Sequence, residues 1–439
     1  MTTIPADQPE SVATLGSAMD RARTRMSTVV GIHAVTDYFS FVLISLLPLF
    51  ATTLGLTTGQ KAIIISIGTV CSGVIQPIVA WVSDKLDTRS LGTAGLLLAV
   101  ASVSCFGLAT EFWHLAVLQG LAATGIGAFH PPAAAVVGRL AGPKRSLGMA
   151  VFFLFGMLGG MAGNVTAPRY VEMMARAGDG PADYGAGLMS LAWLAIPGVI
   201  ACIVLAWASH KTPHRHHAAH DHHTSLPADE RRRRWGAVGI LYFANIIRFS
   251  TNLALVYLFN EWAEAHTRGR AGVAKLTEAL GAEASQLNGF LQASMQLGMG
   301  GMGLVLGFLL ARRFEKWAFI GFPLVGACVI ASVPALADAG GPGIAIALSV
   351  LSGVGFGSVI PVSMAVAQRL LPHRTSLASG MMLGGAWAFA FIGPTIAEAV
   401  HTRVSLDAGF WAIGGLLAFA GVICLALPGR LITDAVDHH

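Results

Sequence analysis

Long apolar runs separated by short polar stretches form the hydropathy pattern of this chain of 439 residues. A helix needs roughly 20 mostly apolar residues to cross a bilayer. The pattern therefore predicts twelve membrane-spanning helices, over residues 28–52, 61–83, 90–109, 112–138, 145–168, 187–209, 235–260, 285–311, 317–337, 342–368, 375–399 and 406–427. The expected fold is an all-α membrane protein, and an even number of spans places both termini on one side.

A polar stretch between the sixth and seventh runs divides the chain into two halves with an internal repeat. The segment from Gly125 to Pro131 precedes Arg139, and the segment from Gly355 to Pro361 precedes Arg369 in the same register. Such a repeat is typical of parallel six-helix units related by an axis along the membrane normal. We expect two pseudo-symmetric six-helix bundles, over residues 28–209 and 235–428. An N-terminal arm over 1–27 precedes them, a His-rich linker over 210–234 joins them, and a tail over 429–439 follows.

Composition and charge agree with a multi-pass membrane protein and exclude several other classes. Hydrophobic residues make up 54% of the chain and charged residues only 12%, against about a quarter in an average soluble domain. Most basic residues fall on the side that holds the termini, which predicts cytoplasmic termini in an inner (plasma) membrane. We therefore attribute the net charge of +5 to topology and not to nucleic-acid binding.

The sequence contains no phosphate-binding loop, catalytic triad or metal-hydrolase motif, so ATP drive and enzyme activity have no support. We expect no cofactor, a proton gradient as the energy source, a small-molecule substrate and the lipid bilayer as partners, and a monomer.

Two charged residues lie inside apolar runs, Asp37 in the first and Arg248 in the seventh. A charge at the bilayer centre costs about 2.5–3.5 kcal/mol on insertion scales, so it usually faces a cavity or a partner. His33 lies one helical turn before Asp37. We expect Asp37 and His33 to couple transport to protons, although Asp37 could instead satisfy a neighbouring helix and His33 could be a solvated helix end.

Arg248 forms a polar stripe with Asn245 and Asn252 in the seventh span. Three interpretations stay open for the arginine: it binds an anionic substrate group, it forms a permanent ion pair with Asp37 across the halves, or it faces solvent in a wide vestibule. The mechanism we expect is rocking of the two halves, with protonation of Asp37 loosening its hold on Arg248 and an anionic substrate competing for the arginine.

Other polar and aromatic residues are candidates for the same cavity, and ordinary helix contacts are their alternative role. Glu398, near the outer end of the eleventh span, is a candidate second proton site or a solvated helix end. His130 precedes Pro131, which together with the following proline predicts a kinked helix. The candidate substrate contacts are Tyr38, His130, Tyr257, Gln292, Gln296 and Trp387.

Several motifs resemble the major facilitator superfamily, and within it the fosmidomycin-resistance-type efflux proteins. The loop Asp84-Lys85-x-x-x-Arg89 resembles the superfamily's signature loop. The motifs that look like the efflux proteins are Phe129-His130-Pro131, His33 with Asp37, Gln76-Pro77, and Ala367 to Pro372 followed by Ser379-Gly380. The resemblance implies a twelve-helix, proton-coupled antiporter that exports small polar or amphiphilic toxic compounds. Gating roles are expected for Gln76, Pro77, Asp84, Lys85, Arg89, Pro131 and Pro361.

The linker contains a dense histidine tract, for which two interpretations stay open. Candidate metal ligands are His216, His217, His220, His222 and His223, and the alternative is a solvated linker. The first interpretation keeps a nickel- or zinc-type metal-ion exporter as an alternative function. Proton-coupled uptake of a small organic anion is the other alternative.

Overall fold

The structure is a computed structural model that describes residues 12–83, 89–141, 145–210 and 227–434, and these ranges are helical with no strand. The first half contains seven helices, of which α6 and α7 together form the sixth span. They are α1 (Val12–Leu54), α2 (Thr58–Ser83), α3 (Arg89–Ser104), α4 (Phe112–Leu140), α5 (Arg145–Ala175), α6 (Tyr184–Met189) and α7 (Ala195–Ser209).

The second half contains nine helical elements. The ninth and tenth spans share α10, the tenth and eleventh spans are each divided into shorter helices, and one short helix follows the twelfth span. They are α8 (Ala228–Ala271), α9 (Glu278–Leu309), α10 (Glu315–Gly357), α11 (Ile360–Leu370), α12 (Thr375–Gly380), α13 (Ala386–Ala388), α14 (Ile392–Arg403), α15 (Leu406–Ile423) and α16 (Gly429–Asp434). Gly341 turns the chain inside α10 with φ of 70°, a conformation that glycine adopts without steric cost. The ninth span ends there, and the tenth continues into α11.

By length and hydropathy alone, ten segments of the described ranges could cross a membrane. One of them, Arg312–Leu370, has 59 residues and contains the ninth and tenth spans. The eighth span is α9, whose mean hydropathy is lowered by Asn288, Gln292 and Gln296. The all-α fold with two six-helix halves is thus confirmed.

Two helices extend beyond the predicted spans. α1 begins at Val12, inside the predicted arm, because Ala, Leu, Met and Arg favour helix and no proline follows Pro9 there. α8 begins directly after Pro227, with acidic residues in its first turn, and ends at Gly272 in the left-handed conformation. These are favourable start and stop signals, and they carry α8 past the predicted end at residue 260.

Glycines allow the first and fifth spans of each half to pack backbone against backbone. A Cβ at Gly159 of α5 would lie 1.9 Å from the carbonyl oxygen of Ala34 in α1. A Cβ at Gly393 of α14 would lie 1.8 Å from the carbonyl oxygen of Ser250 in α8. Small residues permit such close helix contacts in membranes, and their occurrence at equivalent interfaces agrees with the repeat.

The two halves contact each other at the end that holds the α1–α2 and α8–α9 connections, which we call the distal end. There the backbone N–H of Leu49 donates to Ser285 Oγ over 3.0 Å, and Asn288 Nδ2 donates to the carbonyl oxygen of Ile44 over 2.8 Å. The opposite end, where α1 begins, is called the terminal end.

Candidate transport site

His33, Asp37 and His130 form one cluster, which we call the triad. Helix α1 places His33 and Asp37 one turn apart, and α4 brings His130 against them. His33 Nε2 lies 3.4 Å from Asp37 Oδ2, His130 Nε2 lies 3.4 Å from Asp37 Oδ1, and the two Nε2 atoms are 3.2 Å apart. The predicted association of Asp37 with His33 is therefore present in the structure, and His130 joins them from a different helix.

Backbone carbonyls orient both imidazole rings of the triad. His33 Nδ1 lies 2.7 Å from the carbonyl oxygen of Phe152, and His130 Nδ1 lies 2.8 Å from that of Ile126. A carbonyl oxygen only accepts hydrogen bonds, so each Nδ1 carries the hydrogen and donates it. The His33 ring also stacks on Phe152, with centroids 3.7 Å apart. Both Nε2 atoms are consequently the acceptor nitrogens when the rings are neutral.

Two acceptor nitrogens at 3.2 Å cannot form a hydrogen bond with each other. The contact requires a hydrogen or another cation between them, and Asp37 supplies the compensating negative charge. One bound proton makes the triad electrically neutral and satisfies the contact. The geometry is therefore that of a site which holds one exchangeable cation.

The triad lies on the side of α1 that faces the second half, and we call the space between the halves at this level the cleft. Asp37 shares one face of α1 with Phe41, Ile44 and Thr52. Further along the helix this face meets α9, where Asn288 donates to Ile44 and Gly281 lies against Thr52. At the level of the triad the face is less covered, and the side chains of Asp37 and His130 are 17% and 25% exposed. His33, at 1%, forms the buried wall.

Arg248 has a different environment from the one predicted. Its side chain is fully buried, and it donates to Asn245 Oδ1 over 2.9 Å and to the carbonyl oxygen of Phe319 over 3.2 Å. Cys424 Sγ lies 3.5 Å away, and the guanidinium lies over the Phe319 ring. All these partners belong to the second half.

The predicted ion pair between Asp37 and Arg248 is therefore absent in this structure, which describes both residues, and Arg248 faces neither a vestibule nor the triad. The physical reason is that α8 turns this side chain toward α10 and α15. Carbonyl, amide and ring groups there satisfy part of its charge without a carboxylate.

The remaining predicted substrate contacts are distributed over three regions and do not form one pocket. In the middle of the molecule, Trp387 Nε1 donates to Ser72 Oγ across the halves over 3.1 Å. Tyr38, which follows Asp37 on α1, accepts from Thr166 over 3.2 Å. Asn252 Nδ2 lies 3.9 Å from the Met299 sulfur.

Three other candidates lie in buried helix contacts. Tyr257 is fully buried and its hydroxyl lies 3.0 Å from His401 Nδ1. Gln292 Nε2 donates to the carbonyl oxygen of Val256 over 3.2 Å and to Asn288 over 2.9 Å. Gln296 is buried, and its Oε1 has no hydrogen-bond partner among the described residues. A mobile substrate or water would satisfy this oxygen.

Glu398 is separate from the triad. It lines a crevice of about 370 Å³ between α2 and α14, together with Gly59, Ser66 and Thr395. Its other walls are mostly apolar, which is typical of a lipid-facing groove. The candidate second proton site is thus placed at the distal half of the helix pair.

A buried ion cluster at the distal end was not anticipated. Lys61 of α2 lies 2.6 Å from Glu261 Oε1 and 2.8 Å from Glu264 Oε2 of α8, and Asn260 donates to both carboxylates. Lys61 is 3% exposed and Glu261 is 6% exposed. Asn260, Glu261 and Glu264 lie within one turn of α8. Because the seventh span was predicted to end at residue 260, the two glutamates were not considered as part of it.

The structure describes some of the residues for which gating roles are expected, and these roles stay predictions. Gln76 lies close to Gly384 across the halves, Pro77 and Pro131 lie inside α2 and α4, and Pro361 lies in the first turn of α11. Arg89 begins α3. Asp84 and Lys85, and the histidine tract from His216 to His223, lie outside the described residues.

Two six-helix halves with ionisable side chains inside their spans are typical of a membrane transporter. The sequence profile of the Major Facilitator Superfamily matches residues 29–269 and 271–434. The chain therefore belongs to the Major Facilitator Superfamily, and the superfamily resemblance is confirmed. Its relatives are transporters, in agreement with the expectation that it is not an enzyme.

Two relatives match almost the whole chain. The Fosmidomycin resistance protein of Escherichia coli (strain K12) is 22% identical over 443 residues, which covers 98% of this chain and 99% of the relative. An uncharacterized MFS-type transporter of Bacillus subtilis (strain 168) is 22% identical and covers 91% of this chain and 92% of its own length.

Solved structures share the fold at low identity. A POT family transporter in complex with 5-aminolevulinic acid superposes with a TM-score of 0.70 at 13% identity, covering 92% of this chain and 96% of that one. A bacterial homolog to the human lysosomal transporter Spinster, in an inward-facing and unoccupied conformation, gives 0.67 at 12% identity, covering 94% and 97%.

Proposed function

We propose that this protein is a proton-coupled secondary transporter that exports small polar, anionic or amphiphilic toxic compounds by alternating access. The observation that carries the proposal is the triad, a cation-binding cluster that is partly exposed beside the cleft. A charged carboxylate in an apolar span is costly and usually functional. Here it is combined with two imidazoles, the side chains best suited to proton exchange near neutral pH.

The geometry suggests how a proton changes the conformation. With one proton bound, the triad is neutral and its Nε2 contact of 3.2 Å is satisfied. Without the proton, the two Nε2 lone pairs repel, and a net negative charge faces a region of low dielectric constant. Loss of the proton therefore favours separation of α1 from α4, and this change is the proposed link to rocking of the halves.

The distal contacts supply the closed gate in this mechanism. Lys61 with Glu261 and Glu264, and Asn288 with the Ile44 carbonyl, hold the two halves together at the distal end. These bonds must break when the transporter opens on that side. Breaking them exposes charged groups to water, which offsets part of the lost interaction.

The direction and cargo are inferred from a relative. The relative that is similar over nearly the whole chain is named for resistance to fosmidomycin, a small phosphonate, and resistance by a transporter is most simply explained by export. Arg248 is buried in helix contacts, so we assign the attraction of anions to His130, whose side chain is 25% exposed.

The topology and assembly complete the proposal. The distribution of basic residues favours cytoplasmic termini in an inner (plasma) membrane, so the terminal end would face the cytoplasm. The segments 28–209 and 235–428 would move as the two halves of a monomer, joined by the linker 210–234.

A tolerance panel tests the function. A drug-sensitive host would express the parent protein or Asp37→Asn at equal membrane levels and be exposed to fosmidomycin and to other small anionic, amphiphilic and cationic toxic compounds. We expect the parent to raise tolerance to one or more of the first two classes and the variant to lose the increase. The proposal would be contradicted if cells with the parent, cells with the variant and cells with neither protein had equal tolerance. It would also be contradicted if the parent drove uptake of the compounds.

A further inference from the structure

The ligand atoms of the triad are close enough together to bind one metal ion. Zinc binds imidazole nitrogen and carboxylate oxygen at about 2.0–2.2 Å in tetrahedral sites, so two atoms on the same ion lie about 3.3–3.5 Å apart. The two Nε2 atoms are 3.2 Å apart, and each lies 3.4 Å from a different oxygen of Asp37, Oδ2 for His33 and Oδ1 for His130. One ligand atom from each residue lies within 4.8 Å of the others, and rotation of the Asp37 carboxylate brings one oxygen toward both rings.

The neighbouring groups already hold both histidines as metal ligands are usually held. A metal-bound histidine generally donates its other ring N–H to a carbonyl or carboxylate, which fixes the ring and its free lone pair. Phe152 and Ile126 provide these carbonyls at 2.7 and 2.8 Å. The stacked Phe152 ring further restricts His33.

Charge and access also suit a dication. Two neutral imidazoles and one carboxylate give a net charge of −1, and no Lys or Arg of the described residues forms an ion pair with Asp37. The partial exposure of Asp37 and His130, 17% and 25%, leaves the fourth corner open toward the cleft for water. Magnesium and calcium prefer six or more oxygen ligands, whereas imidazole with carboxylate suits zinc, cobalt and nickel.

We propose that the triad of His33, Asp37 and His130 binds one divalent transition-metal ion of the zinc class at the position between the two Nε2 atoms. Binding of the ion does not depend on the proposed function. Because His33 and Asp37 belong to α1 and His130 belongs to α4, a bound ion holds these two helices together.

Cobalt binding to the purified full-length protein tests the site, because tetrahedral cobalt absorbs visible light. The linker and tail histidines are a competing source of ligands, so they are changed to Asn in a background variant at His210, His214, His216, His217, His220, His222, His223, His438 and His439. We expect this background to bind one equivalent of cobalt that zinc displaces. His33→Asn and His130→Asn in the background should each weaken binding at least ~100-fold, while His114→Asn, at an exposed position, should leave it unchanged.

A measurement without triad substitutions covers the case in which those variants do not fold. Diethylpyrocarbonate modifies free imidazole nitrogens, so zinc should protect His130 from modification in the background protein, with exposed His114 as the internal reference. Absence of a bound cobalt equivalent, or equal modification of His130 with and without zinc, would overturn the metal site. Failure of Asp37→Asn to impair transport would instead overturn the proposed function, so the two outcomes are distinguishable.

Discussion

The triad and Arg248 are two intramembrane ionisable sites on the first helix of each half, and they have opposite environments. Asp37 is partly exposed, and it faces two imidazoles that can gain or lose a proton. Arg248 is fully buried and makes fixed contacts to Asn245, the Phe319 carbonyl and Cys424. A costly charge in an apolar run therefore has two separate explanations, exchange with the cleft and anchoring of helices, and partners and exposure decide between them.

The largest difference is expected from Asp37→Asn in reconstituted vesicles. Asparagine keeps the size of the side chain but removes the negative charge that holds the exchangeable cation, so transport driven by a pH gradient should fall at least ~100-fold, the loss typical of a removed acid–base group. Exchange of labelled substrate without a gradient should persist, because it needs no net proton movement. If Asp37→Asn transported substrate in a pH gradient as fast as the parent, Asp37 would not couple transport to protons, and its exposure would not distinguish it functionally from Arg248.

Arg248→Ala should act on stability and not on substrate choice. The change leaves the Asn245 amide oxygen and the Phe319 carbonyl without their donor and creates a cavity, at a cost of about 3–5 kcal/mol. Thermal unfolding of the detergent-solubilised protein measures this loss, with Arg403→Ala, at an exposed helix end, as the matched control. Transport per folded molecule should decline equally for anionic and neutral compounds. A selective loss of anionic compounds with normal stability would restore Arg248 to the substrate site.

Lys61 is a third buried charge. It differs from Arg248 in having two carboxylate partners, Glu261 and Glu264. Removing one member of such a pair typically costs about 3–5 kcal/mol, because the other charge stays buried. We expect Lys61→Met to destabilise the protein more than Glu264→Gln, since Lys61 serves two carboxylates. The double variant should be more stable than the sum of the single effects predicts, by roughly 1–3 kcal/mol. Additive effects in this cycle would show that the cluster does not act as a unit.

The comparison also explains what the sequence could predict. Hydropathy and the proline–arginine repeat suffice for the helical halves, because a bilayer restricts spans to apolar helices. The i, i+4 spacing sufficed to join His33 with Asp37. The direction of Arg248 around α8 and the extension of α8 to Glu261 and Glu264 depend on packing between helices distant in sequence, which periodicity along one helix does not contain. His130 entered the site through a motif, and its contact with Asp37 required the packing of α4 against α1.

The smallest effect is expected where the histidines are most numerous. Changing six of the seven linker histidines, from His214 to His223, to Asn removes candidate metal ligands and changes no residue of the triad. Gradient-driven transport should stay within about twofold of the parent, because the proposed proton site is unchanged and surface substitutions away from such sites usually have small effects. Nickel and zinc tolerance of the host, measured in parallel, should also be unchanged. If metal tolerance falls while triad-dependent transport is normal, the linker is itself a metal site. Metal binding by these histidines would then depend on their number more than on burial and fixed orientation.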